Sequence, residues 1–207
     1  VLKHMFKRFS FVIYIVGVLL MPVAVRGQSD ATATRTWEVT KYDLSVTMPS
    51  TDTDRNVSVT AVLALKNVST APASSLTLRI SPAAEVSSAR IGGSAVDFTK
   101  GEQKIGGGSL QRINIRGVAA APGGAVSVEI IYKLKVAENT GVGTLSPAGS
   151  QFLPLSFWYP TPNSWFFARG ADYAPVKLRV AGAGDLKIVS SGVETNGAFE
   201  VGQLSQP

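Results

Sequence analysis

The sequence predicts an all-β fold, an antiparallel β-sandwich, on three observations. Apolar and polar residues alternate with a period of two over several separate stretches, and Gly- and Pro-containing turns divide those stretches at short intervals. Helical periodicity is absent over any window long enough to hold a helix of ordinary length. Composition agrees: 16% charged and 45% hydrophobic residues, with 20 glycines, suit strands joined by many turns better than helices. The chain has no cysteine, so its fold must rest on core packing without a disulfide. A domain of this size can do that, because it buries about two thirds of its unfolded surface.

At the front, Lys3, Lys7 and Arg8 precede residues 9–25, a run with no charged residue. A basic region followed by an apolar one is the order of a secretory signal segment. The run is shorter than the ~20 apolar residues a spanning helix needs, and Gly17 and Pro22 interrupt it. Residues 1–27 are therefore expected to form a helical signal peptide, cut after Val25-Arg26-Gly27 and before Gln28, and the protein to be exported to the periplasm or secreted. A retained anchor is the alternative, and only through it would the protein meet a membrane. A lipoprotein anchor is excluded, since it needs a cysteine. The leader also distorts the charge: four of the 20 basic residues lie in it, and the remaining 16 against 14 acidic residues give +2 rather than +6. The other basic residues are scattered and not interleaved with aromatics, which excludes nucleic acid as a partner.

Residues 28–36 are small and polar and read as a flexible spacer. The β-sandwich domain is expected over 37–207. Tyr42, Leu44, Val46 and Met48 alternate with Asp43, Ser45 and Thr47; Val57, Val59, Ala61, Leu63 and Leu65 follow the same rule, although Val62 and Ala64 soften the polar face. Leu76, Leu78 and Ile80 form a third ladder, and the longest runs from Val126 through Val128, Ile130, Tyr132 and Leu134 to Val136. Each turns one apolar face to a core. Leu110, Ile113 and Ile115, then Val176, Leu178 and Val180, then residues 186–189, bring the expected count to ten or more strands. Turns fall at Pro49, Pro72, Gly92-Gly93, Gly106-Gly107-Gly108, Pro122-Gly123-Gly124 and Asn139-Thr140-Gly141.

One segment breaks the pattern. Phe152, Phe157, Trp158, Tyr159, Trp165, Phe166, Phe167 and Tyr173 crowd into one stretch, and two prolines at 160 and 162 keep it from being a regular central strand. Phe157, Trp158, Tyr159, Trp165 and Phe166 are the candidate packing or binding surface. Two readings stay open: these rings form the core and lid of one end of the sandwich, or they form an exposed platform for a sugar or a second domain.

The residues offer no catalytic set. The only histidine, His4, is in the leader, which removes Ser-His-Asp and Cys-His mechanisms and imidazole zinc sites from the mature chain. Asp52 and Asp54 flank Thr53 in a turn and lack the ligand spacing of a calcium loop. Gly106-Gly107-Gly108 is followed by neither Gly-Lys-Ser/Thr nor a helical pattern, so it reads as a hairpin loop rather than a phosphate cradle. Asn56-Val57-Ser58 and Asn67-Val68-Ser69 match the glycosylation acceptor pattern.

The order of features carries a resemblance. Tyr42-Asp-Leu-Ser-Val46, the ladder from Val57, Leu76-Thr-Leu-Arg-Ile80, the ladder from Val126 to Tyr132, Phe157-Trp-Tyr-Pro160 and a strand starting at Leu186 and ending at Gly192 resemble the N-terminal saddle-like β-domain of the aminopeptidase-N family of zinc metallopeptidases. The resemblance runs from about Trp37 to the end. Ala168-Arg169-Gly-Ala-Asp172-Tyr-Ala-Pro175 is a loose echo of that family's Ala-Arg and Phe-Pro-x-x-Asp-Glu-Pro stretch, so no substrate-contact residue is carried over. The family's Gly-x-Met-Glu-Asn and His-Glu-x-x-His signatures do not occur in the chain. The resemblance implies a saddle domain that packs on a zinc-bearing peptidase domain, with zinc expected only in a downstream domain missing here and no cofactor in this chain. On that expectation the chain is a fragment, truncated at its C-terminal end, that shapes one wall of the substrate cleft and is not itself an enzyme. The competing expectation is a free-standing secreted binding or adhesion module that takes a peptide, a protein or a carbohydrate ligand on the same aromatics.

Overall fold

A computed structural model describes residues 35–51, 53–105, 108–162, 173–190 and 192–205. The leader and most of the spacer lie outside the described residues. Thirteen strands are described in order: β1 (Trp37–Thr47), β2 (Asn56–Asn67), β3 (Ala73–Ile80), β4 (Ala84–Ile91), β5 (Ser94–Ala95), β6 (Phe98–Ile105), β7 (Gly108–Ala120), β8 (Ala125–Lys135), β9 (Gly143–Thr144), β10 (Gln151–Phe152), β11 (Ala174–Ala181), β12 (Val193–Thr195) and β13 (Ala198–Ser205). No α-helix occurs among the described residues, and the fold is all-β.

Eight strands form one sheet in the order β12-β13-β11-β1-β2-β8-β4-β5, and three form a second in the order β3-β7-β6. Every described pairing is antiparallel except one: β1 and β11 run parallel, with Tyr42 opposite Val176 and Thr47 opposite Ala181. The expected antiparallel sandwich is thus a mixed sheet at that junction, which sequence alternation cannot reveal because both pair types share a period of two. β1 reaches its parallel partner only after the chain has built the rest of the sandwich, as a parallel pair requires a long crossover.

The core lies between the sheets. Tyr42, Leu44 and Val46 of β1, Val57 to Leu65 at alternate positions of β2, Leu76, Leu78 and Ile80 of β3, and Val128, Ile130, Tyr132 and Leu134 of β8 are all buried and belong to one cluster. These are the residues whose alternation predicts the strands. β7 is less regular. Its register against β3 shifts between Ala73 and Ser75, and opposite that point Gly117 has φ 77°, a conformation that a side chain at Cβ would resist. The bulge changes the phase of the strand, so Val118 and Ala120 return to the core after Ile113 and Ile115.

Asn67 closes the end of β2 and is fully buried. Its amide donates to Ala71 O (2.9 Å) and Ala120 O (3.0 Å), and its side-chain oxygen accepts from Ser69 N (3.0 Å) and Ser69 Oγ (2.7 Å). A buried amide with all its main partners in place braces the loops after β2 and β7. It also makes the second acceptor tripeptide unusable in the folded domain. β6 and β7 pair as far as Ile105 opposite Gly108, while Gly106 and Gly107 of the expected hairpin loop lie outside the described residues. Asp54 accepts from Asn56 N (2.9 Å) and Asn56 Nδ2 (2.8 Å), as a turn carboxylate does; Asp52 lies outside the described residues.

Residues 186–189 are not a strand. They sit in an irregular stretch, 186–190, with Leu186 42% and Val189 83% exposed. The strand before them, β11, has both edges filled, by β1 and by β13.

Candidate functional site

The aromatic segment begins after a single 3-10 turn at Pro154–Ser156, where Phe157 adopts φ 51° and donates its N–H to Pro154 O. A left-handed backbone on a bulky residue costs roughly 1–2 kcal/mol and persists only when its surroundings compensate. Three anchors supply that. Phe157 O accepts from Ser81 N (2.9 Å), just past β3; Trp158 O accepts from Tyr132 Oη (2.6 Å) on β8; and Arg79 and Thr161 exchange backbone hydrogen bonds of 2.7 and 2.9 Å. Arg79 also donates from Nη1 to Pro162 O and from Nε to Gln103 Oε1 (2.8 Å).

The rings reinforce the same strap. Tyr159 meets Tyr42 of β1 edge to face with centroids 5.5 Å apart, Trp158 meets Tyr159 in the same way at 5.4 Å, and Phe152 tilts against Trp158 at 6.3 Å. Such pairs add about 0.5–1.5 kcal/mol each beyond area burial. Residues 157–162 are buried throughout. The segment therefore crosses from the large sheet (Tyr42, Tyr132) to the small one (Arg79, Ser81) and covers the end of the core. Phe157, Trp158 and Tyr159 are brought together in the interior, and Trp165 and Phe166 lie outside the described residues. Burial pushes the Tyr132 phenol well above its ordinary range, so it remains a proton donor to the Trp158 carbonyl at any physiological pH.

Beside the strap is a groove of about 970 Å³. Met48, Trp158, and Leu178 and Val180 of β11 line it. One bank is residues 145–154 and the other is residues 182–190, which bring Leu186, Ile188 and Val189 to it. Leu153, on the first bank, and Leu155, just beyond it, are exposed as well; the exposed Tyr173 and Val193 do not line the groove. The signal for residues 186–189 was present in the sequence as alternation, but alternation predicts a half-buried strand and not an unpaired bank.

Two devices shape the banks. Arg55 holds the first: it donates from Nε to Val136 O (2.7 Å), from Nη1 to Leu145 O and from Nη2 to Asn139 Oδ1 (2.6 Å). Gly192 ends the second, at φ 101°, where an added Cβ would collide with Glu200 O and lie 2.6 Å from Val201 Cγ2. Only a residue without a side chain lets the bank pass that close to β13.

No protein-family model matches the sequence, and no curated protein is similar enough to count as a relative. Solved structures do match. The M1 zinc metallopeptidase from Deinococcus radiodurans superposes with a TM-score of 0.55 at 21% identity, over 80% of this chain and 39% of that one. Native leukotriene A4 hydrolase from Saccharomyces cerevisiae gives 0.56 at 16% identity, over 82% of this chain and 27% of that one. This is the fold of a β-domain of M1 zinc metallopeptidases. The chain spans well under half the length of the M1 chains it matches, and at these identities the likeness establishes fold. No three His, Cys, Asp or Glu side chains come together among the described residues.

Proposed function

We propose that the chain is the non-catalytic N-terminal β-domain of an exported aminopeptidase-like zinc metallopeptidase, which packs on a downstream zinc domain and walls one side of its substrate cleft. The observation that carries this reading is the partial match: 80% of this chain aligns with only 39% of an M1 peptidase. The groove is the candidate contact surface for that domain, since Leu186 and Val189 are exposed and line it. The surface offered to the zinc domain is the groove and its banks rather than the Phe157-Trp158-Tyr159 strap, whose rings are already spent on the core. Zinc and the peptide-cleaving groups belong to the downstream domain.

The test is to read the coding DNA beyond Pro207. The proposal expects an open frame that encodes His-Glu-x-x-His with a glutamate further on. A stop codon at that point would overturn it and favour the free-standing binding module. Peptidase activity that survives chelator in purified residues 28–207 would overturn it from the other side.

A further inference from the structure

We propose that Asn196 is a site of spontaneous deamidation and isomerisation, and the single asparagine among those described that the fold leaves open to it. Deamidation requires the backbone nitrogen of the following residue to reach the asparagine side-chain carbonyl carbon. It is helped by solvent access, an unbonded amide and a small following residue. The described asparagines differ sharply on these points. Asn67 is buried with its amide bonded on both sides. Asn56 gives its amide to Asp54 Oδ1 at 2.8 Å, Asn114 accepts from Thr77 Oγ1 at 2.9 Å, and Asn139 accepts from Arg55 and from Leu145 N. Each of these four is followed by Val, Ile or Thr, whose branched Cβ hinders approach.

Asn196 has none of these protections. It is exposed, makes no side-chain hydrogen bond to a described residue, and precedes Gly197, which is exposed too. The two form the loop of a two-residue hairpin, with Thr195 opposite Ala198. Both are left-handed, at φ 51° and 73°, as Asn-Gly prefers in this turn. The Gly197 N–H donates to no described backbone acceptor. The hairpin it closes is weak, since β12 has three residues and lies at the sheet edge, and short edge elements open at low cost.

In the reaction, Gly197 N loses its proton and bonds to the Asn196 side-chain carbonyl carbon, and the amide nitrogen leaves as ammonia. Water then opens the resulting five-membered imide at either carbonyl, to give aspartate or isoaspartate. The isoaspartyl product lengthens the main chain inside a two-residue turn, so Thr195 and Ala198 can no longer face each other. The β12-β13 pairing loosens, and with it the Gly192 contact that ends one bank of the groove.

The experiment is to age the purified chain in mildly alkaline buffer and follow amide loss by peptide mapping, with isoaspartyl methyltransferase labelling as a second readout. The expected result is that the peptide holding Asn196 converts first, that half or more of its product labels as isoaspartate, and that Asn196→Gly abolishes both signals while leaving the fold intact. Two results would overturn the proposal. One is conversion of another described asparagine ahead of Asn196. The other is an unchanged Asn196 over a period in which the same sequence as a free peptide converts, which would mean that the turn locks the nitrogen away from the carbonyl.

Discussion

Replacing Tyr132 by phenylalanine removes one oxygen from the interior and tests whether the aromatic strap is held as described. Tyr132 is 1% exposed, and its hydroxyl is the donor that meets the Trp158 carbonyl, at 2.6 Å. The variant keeps the ring and its packing, so the loss is that of a buried acceptor left without its donor, about 1–3 kcal/mol. For a domain of this length each kcal/mol moves the melting temperature by roughly 2–4 °C. Thermal and urea unfolding of residues 28–207 would measure it. Trp158→Ala should cost more, about 3–5 kcal/mol, because it empties a buried aromatic site. The phenol adds a pH signature: its folded pKa lies above the unfolded value of 10.0. Below that value the two states carry the same proton; above it the unfolded chain ionises first, so stability falls as pH climbs and the phenylalanine variant should lose that slope. A Tyr132→Phe change of less than about 0.5 kcal/mol, the size of an ordinary surface substitution, together with an unchanged alkaline slope, would refute the strap.

Three further outcomes are expected. Gly192→Ala forces a Cβ against Glu200 O and Val201 and should destabilise the domain by about 1–3 kcal/mol, with faster amide exchange concentrated in residues 183–190. Asn67→Ala strands the Ala71 and Ala120 carbonyls and should cost about 1–3 kcal/mol in denaturant unfolding, and a mass measurement after eukaryotic secretion should find no glycan on Asn67. The Lys177 ammonium, 2.5 Å from Glu200, holds that carboxyl below its ordinary 4.5. Its small contribution is therefore present above the unfolded value and lost as pH falls through the folded one, and an NMR titration of Lys177→Met should return Glu200 toward 4.5.

The ladders that carry the core were legible because Tyr42, Leu63, Ile80 and Ile130 each belong to a strand with one face on the core and one on solvent, which is what a period of two reports. β4 and β6 were not. β4 reads Ala-Glu-Val-Ser-Ser-Ala-Arg-Ile, and a register shift between Val86 and Ser88 breaks its alternation; β6 lies at the edge of the three-stranded sheet and is mostly polar. The prolines at 160 and 162 argued against a regular central strand in the aromatic segment, yet they left both core and platform open. What holds Phe157, Trp158 and Tyr159 inside is partnership over long separations, Tyr132 with Trp158 and Arg79 with Thr161, which no local pattern encodes. The groove was invisible for the same reason. Leu186 and Val189 look like strand residues, yet residues 186–190 join no sheet.

The central claim is that the groove end of this domain faces another domain of the same polypeptide. Hydrogen-deuterium exchange tests it most directly, on residues 28–207 alone and on the longer protein that the proposal expects. The account predicts that amides of residues 48–55 and 183–190 exchange markedly more slowly in the longer protein, while the outer strands of the small sheet are unchanged. Equal exchange at those two segments in both proteins would contradict it.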